Sequence, residues 1–484
     1  MVVWKINIIE FFLYLTLAVG LVAPLTGVKD KESSWPVAFA GIGIGSFFIV
    51  SILTLYSTFT QYITFYGGLI IQDSFTSIIL LGSSIASIIF LIGIGKDAMK
   101  WNSRPALYSL IPLVLFGLFF LAGSADALML LASWLLVSVA SYVFVSLPNG
   151  KESKSAAIRY IMVGMIATLI LVAWISFLTL TPKSAVDEFS FSSLVPSTKI
   201  GYGLAGLALL LFLAALGFKV GLFPFHWWLP SVYGRGDGRG ISFVAGVVKL
   251  GFIAVIARTI VIFAFSSDGV SPIAGYAAVL IAVLAVATMI YGNFAALTTR
   301  NFQVILSYSS MAQVGYIFAA IAAAAYFAGN ANYGLLKLAM FAVALQAIAY
   351  GIAKTPLFEF VGKTKQELSD LHGLLSVNPA AAISVSILLF SLLGIPPLLG
   401  FWGKLYLFLS ASGYTVWLVL VALINSGISA VYYIIASREI LSKGDNKINV
   451  GRSYTAALII AALAIIIIGI YAPFLLKGIV SLYY

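Results

Sequence analysis

Lysine recurs in this 484-residue chain at places where lysine is expensive. Lys219 lies inside the apolar stretch from Ala205 to Pro230, and Lys249, Lys337, Lys354 and Lys404 repeat the placement. An ammonium deep in hydrocarbon needs partners, and residues of this kind mark ion or proton routes. Lys219 is roughly eleven residues, or about 16 Å at helical rise, from the nearer end of its segment. Its side chain is too short to reach the interface from there. Burial also loosens the hold of a lysine on its proton, so such groups suit a proton relay. Other chemistry is scarce. There is no cysteine, which excludes disulfides, thiolate metal sites and cysteine nucleophiles. Two histidines, His226 and His372, are too few for a haem or zinc cage. The run GRGDGRG, residues 234–240, lacks the Lys-Ser/Thr pair of a phosphate loop and is expected to be a tight, flexible turn.

Positioning the lysines requires membrane helices. Hydrophobic residues make up 62% of the chain and charged ones 9%, with a mean hydropathy of +1.09. A soluble protein of this length could not bury that much apolar surface, so the composition predicts an all-α, polytopic membrane protein. Spanning segments fall at roughly 6–27, 35–56, 75–95, 104–122, 125–147, 155–181, 203–230, 239–262, 272–297, 301–325, 332–358, 377–410, 413–436 and 453–475, about fourteen helices by length. The formal charge of +11 is spread over short loops, which points to topology rather than nucleic acid. Lysine and arginine concentrate in the loops after odd-numbered helices, from Lys29 and Lys31 through Lys151, Arg235 and Arg300 to Lys447 and Arg452. The other side holds Lys5, Lys183, Lys199 and Lys477. The positive-inside rule then makes the odd loops cytoplasmic and puts both termini outside. The first apolar run lacks a small-residue cleavage site and reads as a retained helix. The Ile-rich, Cys-free composition fits a thermophile.

Two segments are interrupted. Pro224 and Pro230 fall in GFKVGLFPFHWWLP of the seventh, and Pro396 and Pro397 in GIPPLLGFWGK of the twelfth. Each break has a lysine beside it, and the two are five helices apart. Paired interrupted helices are the sequence trace of inverted-repeat transporters. A single domain over residues 1–484 follows: helices one to three in 1–103, two inverted five-helix repeats in 104–262 and 272–436, and a last helix at 453–475.

These residues resemble a known family. FKVGLFPFHWWLP from Phe218, FVAGVVKLGFIAVIAR around Lys249, LSYSSMAQVGY at 306–316, LLGIPPLLGFWGKLYLF around Lys404 and NSGISAVYY at 425–433 occur in family order. They are similar to motifs of helices seven, eight, ten, twelve and thirteen in the antiporter-like subunits of respiratory complex I. Their relatives serve membrane-bound energy-converting hydrogenases and multi-subunit cation/proton antiporters. The resemblance implies a proton-translocating (or cation-translocating) membrane subunit with no redox centre or cofactor of its own, in the cell membrane. Other membrane and peripheral subunits, including neighbouring antiporter-like ones, would be its partners and carry the redox chemistry. It assigns the central carrier to Lys219, the inward continuation to Lys249 and the second half-channel to Lys404. Lys354 is a candidate link between the halves. His226 is either part of the connecting axis or a histidine hydrogen-bonded at a helix break.

Departures from the family pattern are equally specific. In ASWLLVSVASYVFV, Leu135 stands where relatives carry the glutamate that pairs with the seventh-helix lysine. Asp126, nine residues or about 13 Å away, does not replace it. Gln303 and Val304 stand where relatives have a Lys-Arg pair, SVYGRGDGRG replaces the loop after Pro230, and Tyr350 occupies a common histidine position. Two alternatives therefore stand beside the redox-driven pump: a structural subunit that no longer conducts, and a subunit of a sodium/proton antiporter. Arg258 and Arg159 read as interfacial anchors, Lys337 as a snorkelling residue, Glu10 as an acid near the interface or a partner, and His372 as structural.

Overall fold

The computed structural model describes residues 2–26, 34–59, 61–179, 191, 202–265, 272–363, 367–444, 448 and 450–475. Helices carry almost all of it: α1 (Val2–Thr26), α2 (Trp35–Ser57), α3 (Ser74–Ala98), α4 (Arg104–Gly123), α5 (Ala127–Ser146), α6 (Lys151–Thr179), α7 (Tyr202–Val220) and the short α8 (Leu229–Tyr233). Then come α9 (Gly238–Phe243), α10 (Lys249–Ala264), α11 (Pro272–Leu297), α12 (Phe302–Gly329), α13 (Tyr333–Lys363) and the one-turn α14 (Leu374–Val377). The last four are α15 (Pro379–Leu393), α16 (Leu399–Tyr414), α17 (Val416–Leu441) and α18 (Arg452–Leu475). Among the described residues, twelve helices are long and apolar enough to cross a membrane, and Gly206–Val220 and Pro379–Leu393 are shorter apolar helices. The chain is a multi-pass helical membrane protein. The loop cations Lys29, Lys31, Lys183, Lys199, Lys365, Lys447 and Lys477 lie outside the described residues.

Helix starts follow local chemistry. Asp73, Asp126, Asp237, Asn301 and Asn378 cap α3, α5, α9, α12 and α15 by accepting backbone N–H bonds, satisfying donors that the first turn leaves open. Asp126 is thereby committed to a helix end, well away from the middle of α5.

The two interrupted segments are each two helices with a break between them, and the breaks share one design. At GLFP, Gly221 takes φ +79° and the Phe223–Pro224 bond is cis; at GIPP, Gly394 takes φ +96° and the Pro396–Pro397 bond is cis. Only glycine enters this left-handed region without steric penalty, so each glycine ends a helix and the proline three residues on keeps it from resuming. A third irregularity lies between α9 and α10, where Val244–Val248 forms a π-helical turn directly before Lys249.

The structure corrects three expectations. Residues 63–72 form a small antiparallel hairpin, β1 (Ile63–Phe65) against β2 (Ile70–Gln72), so the fold is not purely α. Arg258 is not an interfacial anchor: it is 1% exposed and donates through Nη1 to the carbonyls of Ile71 and Ala122, tying α10 to the hairpin and to the end of α4. GRGDGRG is not simply a tight, flexible turn either, since its last three residues open α9. Gly236, Gly238 and Gly240 are buried, and Gln303 donates to the carbonyls of Tyr233 and Gly236 at 2.7 and 2.6 Å. Gln303 thus ties the first turn of α12 to this loop.

A buried row of lysines as the candidate functional site

Each lysine singled out from the sequence is held by an irregular or tightly packed piece of helix. Lys219 sits in the last turn of α7, just before the Gly221 break, and is 3% exposed. Its Nζ donates to the Tyr142 hydroxyl of α5 at 3.1 Å. The rings of Tyr142, Tyr160, Phe252 and Trp134 surround it at 4.5, 5.1, 5.3 and 5.5 Å. No carboxylate pairs with it among the described residues. Leu135 is 43% exposed and points away from the interior, so the ammonium is met by aromatic faces instead of an acid. Such faces attract a cation by roughly 0.5–2 kcal/mol apiece, the upper end when desolvated. Two further details shape the cage. A Cβ at Gly164 would strike the Tyr142 hydroxyl, so the glycine leaves room for it. Trp228, just beyond the break, stacks on Tyr160 at 5.1 Å and donates back to the Phe218 carbonyl at 2.8 Å.

The aromatic line continues. Trp228 meets Tyr233 edge-on at 5.7 Å, and Lys249 Nζ lies over the rings of Tyr233 and Tyr350 at 5.3 and 5.5 Å. Lys249 Nζ is buried with no hydrogen-bond partner among the described residues. The π turn before it is the type of helix irregularity that concentrates at functional sites. Tyr350 lies one helical turn before Lys354 on α13, so its ring links the surroundings of the two lysines. Lys354, on α13, donates to the Leu306 carbonyl at 2.7 Å and to the Ser309 hydroxyl of α12.

From Lys354 a polar band leads to Lys404. Ser309, Gln313 and Tyr316 share one face of α12 at helical spacing. Gln346 of α13 donates to Gln313 Oε1 at 2.8 Å, and Gln313 donates to the Leu392 carbonyl at 2.9 Å, beside the second break. Lys404 of α16 donates to the Leu393 carbonyl and the Ser426 hydroxyl at 2.9 and 3.0 Å, with its Nζ 4.7 Å from the centre of the Tyr316 ring. Asn293 closes the band, donating to Tyr316 and to the Asn425 carbonyl at 3.0 Å each and accepting from Tyr432.

Lys219, Lys249, Lys354 and Lys404 thus fall on one continuous buried line, and His226 does not. Its ring packs on Phe223 and Tyr291 at 5.3 and 4.2 Å, on the α11 side of the break, whereas Lys219 faces α5, α6 and α10. Lys337 is half-buried near the start of α13 and Arg159 is exposed on α6. His372 contacts Glu439 and Ser442 in a loop-to-helix clasp. Sequence reasoning missed the aromatic cage, the glutamines and Asn293. Only the i, i+4, i+7 spacing of Ser309, Gln313 and Tyr316 could have exposed part of them.

Many-spanning helices, two broken ones and a buried row of cations define a membrane protein built around an internal polar axis. The comparisons with known proteins specify it further: residues 124–429 match the family described as NADH:quinone oxidoreductase/Mrp antiporter, transmembrane, and the chain belongs to that family. The NADH-quinone oxidoreductase subunit N of Desulfitobacterium hafniense is 27% identical, covering 94% of this chain and 92% of its own. The F(420)H(2) dehydrogenase subunit N of Methanosarcina mazei is 28% identical, with 94% of each chain covered. Among solved structures, a chain of the Mrp complex from Dietzia sp. DQ12-45-1b superposes with a TM-score of 0.83 at 18% identity over 96% of both chains. A chain of the archaeal membrane-bound sulfane sulfur reductase gives 0.82 at 19%, over 97% of this chain and 96% of that one. A chain of respiratory complex I from Thermus thermophilus gives 0.77 at 24%, over 96% and 98%. These likenesses establish the shared fold.

Proposed function

We propose that this chain is an ion-translocating membrane subunit of a redox-driven complex, moving protons along Lys219, Lys249, Lys354 and Lys404. The observation that carries the reading is the continuous buried line of four lysines, two of them at matched helix breaks. Charged groups are not kept so deep for stability alone. Relatives at near full length named as quinone oxidoreductase and F(420)H(2) dehydrogenase subunits support a redox-driven parent complex over a stand-alone exchanger. In this reading α7 with α8, and α15 with α16, each make one broken crossing. Fourteen crossings follow, both termini face outward across the cell membrane, and the helices group into inverted five-helix repeats over 104–262 and 272–436. The common G-x-x-P geometry of the two breaks supports that pairing. Pro224, Pro396 and Pro397 keep the breaks open, and at the second break the Leu393 carbonyl accepts from Lys404. His226 serves as packing at the first break.

One observation favours a second reading for the first half alone. The cage around Lys219 contains tyrosine hydroxyls but no acid, so that half can hold a cation without passing it on. The test is redox-driven ion movement by the intact complex in liposomes, run in sodium-free and sodium-containing buffer. Pumping without sodium that falls in Lys249→Ala supports proton conduction. A strict sodium requirement assigns the chain to cation exchange, and unchanged pumping in Lys249→Ala makes it structural.

A further inference from the structure

Glu359 is a fully buried acid that neither the lysine line nor a helix cap uses. It lies on α13 at 0% exposure, and neither carboxylate oxygen has a hydrogen-bond partner among the described residues. The fold makes room for it: a Cβ at Gly93 of α3 would land on Glu359 Oε2, with Ala457 of α18 beside the same spot. Glycine and alanine on two neighbouring helices therefore leave a chamber for a carboxyl group. Buried polar atoms are nearly always hydrogen-bonded, and an unpaired exception calls for an explanation.

The surroundings supply one. Ala457, beside the Glu359 carboxyl, is three residues after Tyr454 on α18, so Tyr454 shares the helix face that meets Glu359. The Tyr454 hydroxyl donates to Asp97 Oδ2 at 2.8 Å, and Arg239 Nη1 donates to the same oxygen at 3.3 Å. Arg239 also grips Asp237 at 2.7 Å through Nη2 and lies 5.5 Å from the centre of the Trp101 ring. Asp237 lines a surface cleft of about 370 Å³, together with Asn149, Lys151, Glu152 and Gly362. A file of ionisable groups thus runs inward from the surface and ends on an unpaired carboxyl. On the inner side, Glu359 is five residues, or about 7.5 Å of helix, past Lys354. Thr355 packs against Gly246 of the π turn, and Tyr350 lies over Lys249.

We propose that Glu359 is a proton-loading site beside the middle of the lysine line, on its cytoplasmic side near Lys249 and Lys354, exchanging protons with the cytoplasmic surface through Tyr454 and Asp97. This rests on the reading that the chain conducts protons. The transfer balances as a hydroxyl relay. A proton on the Glu359 carboxyl passes to the Tyr454 oxygen, directly or across one water, while the proton of Tyr454 passes to the Asp97 carboxylate. Uptake runs the same steps in reverse with the hydroxyl turned. Arg239 carries no proton in this scheme. It is a positioning residue that holds Asp97 and Asp237 together.

The test uses the intact complex, with Glu359→Gln, Tyr454→Phe and, as reference, Lys249→Ala. Redox-driven pumping in liposomes and the infrared difference spectrum of carboxyl groups are the readouts. Glu359→Gln is expected to lose one buried-carboxyl band and to slow pumping roughly tenfold or more, the scale on which a proton-transfer group contributes. Tyr454→Phe is expected to slow pumping while keeping that band. Normal pumping in Glu359→Gln while Lys249→Ala fails would overturn the site and leave the conduction reading intact. Normal pumping in both would overturn the two together.

Discussion

Tyr142→Phe removes a single oxygen from the cage around Lys219 and leaves its ring in place. In the intact protein that oxygen accepts from Lys219 Nζ at 3.1 Å inside a buried site. A hydrogen bond to a charged group is worth about 1.5–3 kcal/mol and one between neutral groups about 0.5–1.5. The account holds Lys219 as an ammonium, so Tyr142→Phe should destabilise the chain by about 1.5–3 kcal/mol. Losing a hydroxyl has other costs, and a double-mutant cycle with Lys219→Met separates them. In the Lys219→Met background, where no donor remains, the same substitution should be close to neutral. The coupling energy should then approach 2 kcal/mol or about 1.5–3, read from denaturant unfolding of the purified chain in detergent. A coupling near or below about 0.5 kcal/mol would mean a neutral amine or no working contact, and the cage argument would be wrong.

Three smaller perturbations test other parts of the arrangement. Gly164→Ala should push the Tyr142 hydroxyl off Lys219 and reproduce the pumping defect of Tyr142→Phe, whereas Gly203→Ala, with open space around it, should pump normally. Gln313→Leu leaves the Gln346 amide without its acceptor and the Leu392 carbonyl without its donor; a cost of about 1–3 kcal/mol per unpaired buried group is expected, with pumping reduced as in Lys404→Ala. Arg258→Met should release the hairpin, so amides of residues 63–72 should exchange hydrogen faster while those of α12 stay protected.

Much of this was legible in the sequence for a simple reason: the bilayer demands long apolar helices, and exceptions to them stand out. Most predicted spans meet the observed helices within a few residues, and GLFP and GIPP announced both breaks. The lysines were legible as charges in apolar runs. Their partners were not, because aromatic residues such as Trp134, Tyr160 and Phe252 look like any core or belt residue until the helices are packed. Arg258 was misread because its acceptor, the Ile71 carbonyl, lies 187 residues away in a hairpin too short to leave a pattern. Glu359 escaped notice because an acid four residues from a helix end resembles an interfacial one, and only α3 and α18 packed around it reveal its burial. Leu135 was legible as an apolar residue where the resemblance implies an acid, yet its outward direction and the aromatic rings around Lys219 appear only in three dimensions.

The central claim is that ions move along the lysine line under redox drive, and the number of ions pumped per electron tests it most directly. Measured on the reconstituted complex, Lys219→Ala and Lys404→Ala should each lower that ratio while assembly and electron transfer persist. Wild-type ratios in both variants would contradict the claim and leave the chain a structural member of its complex.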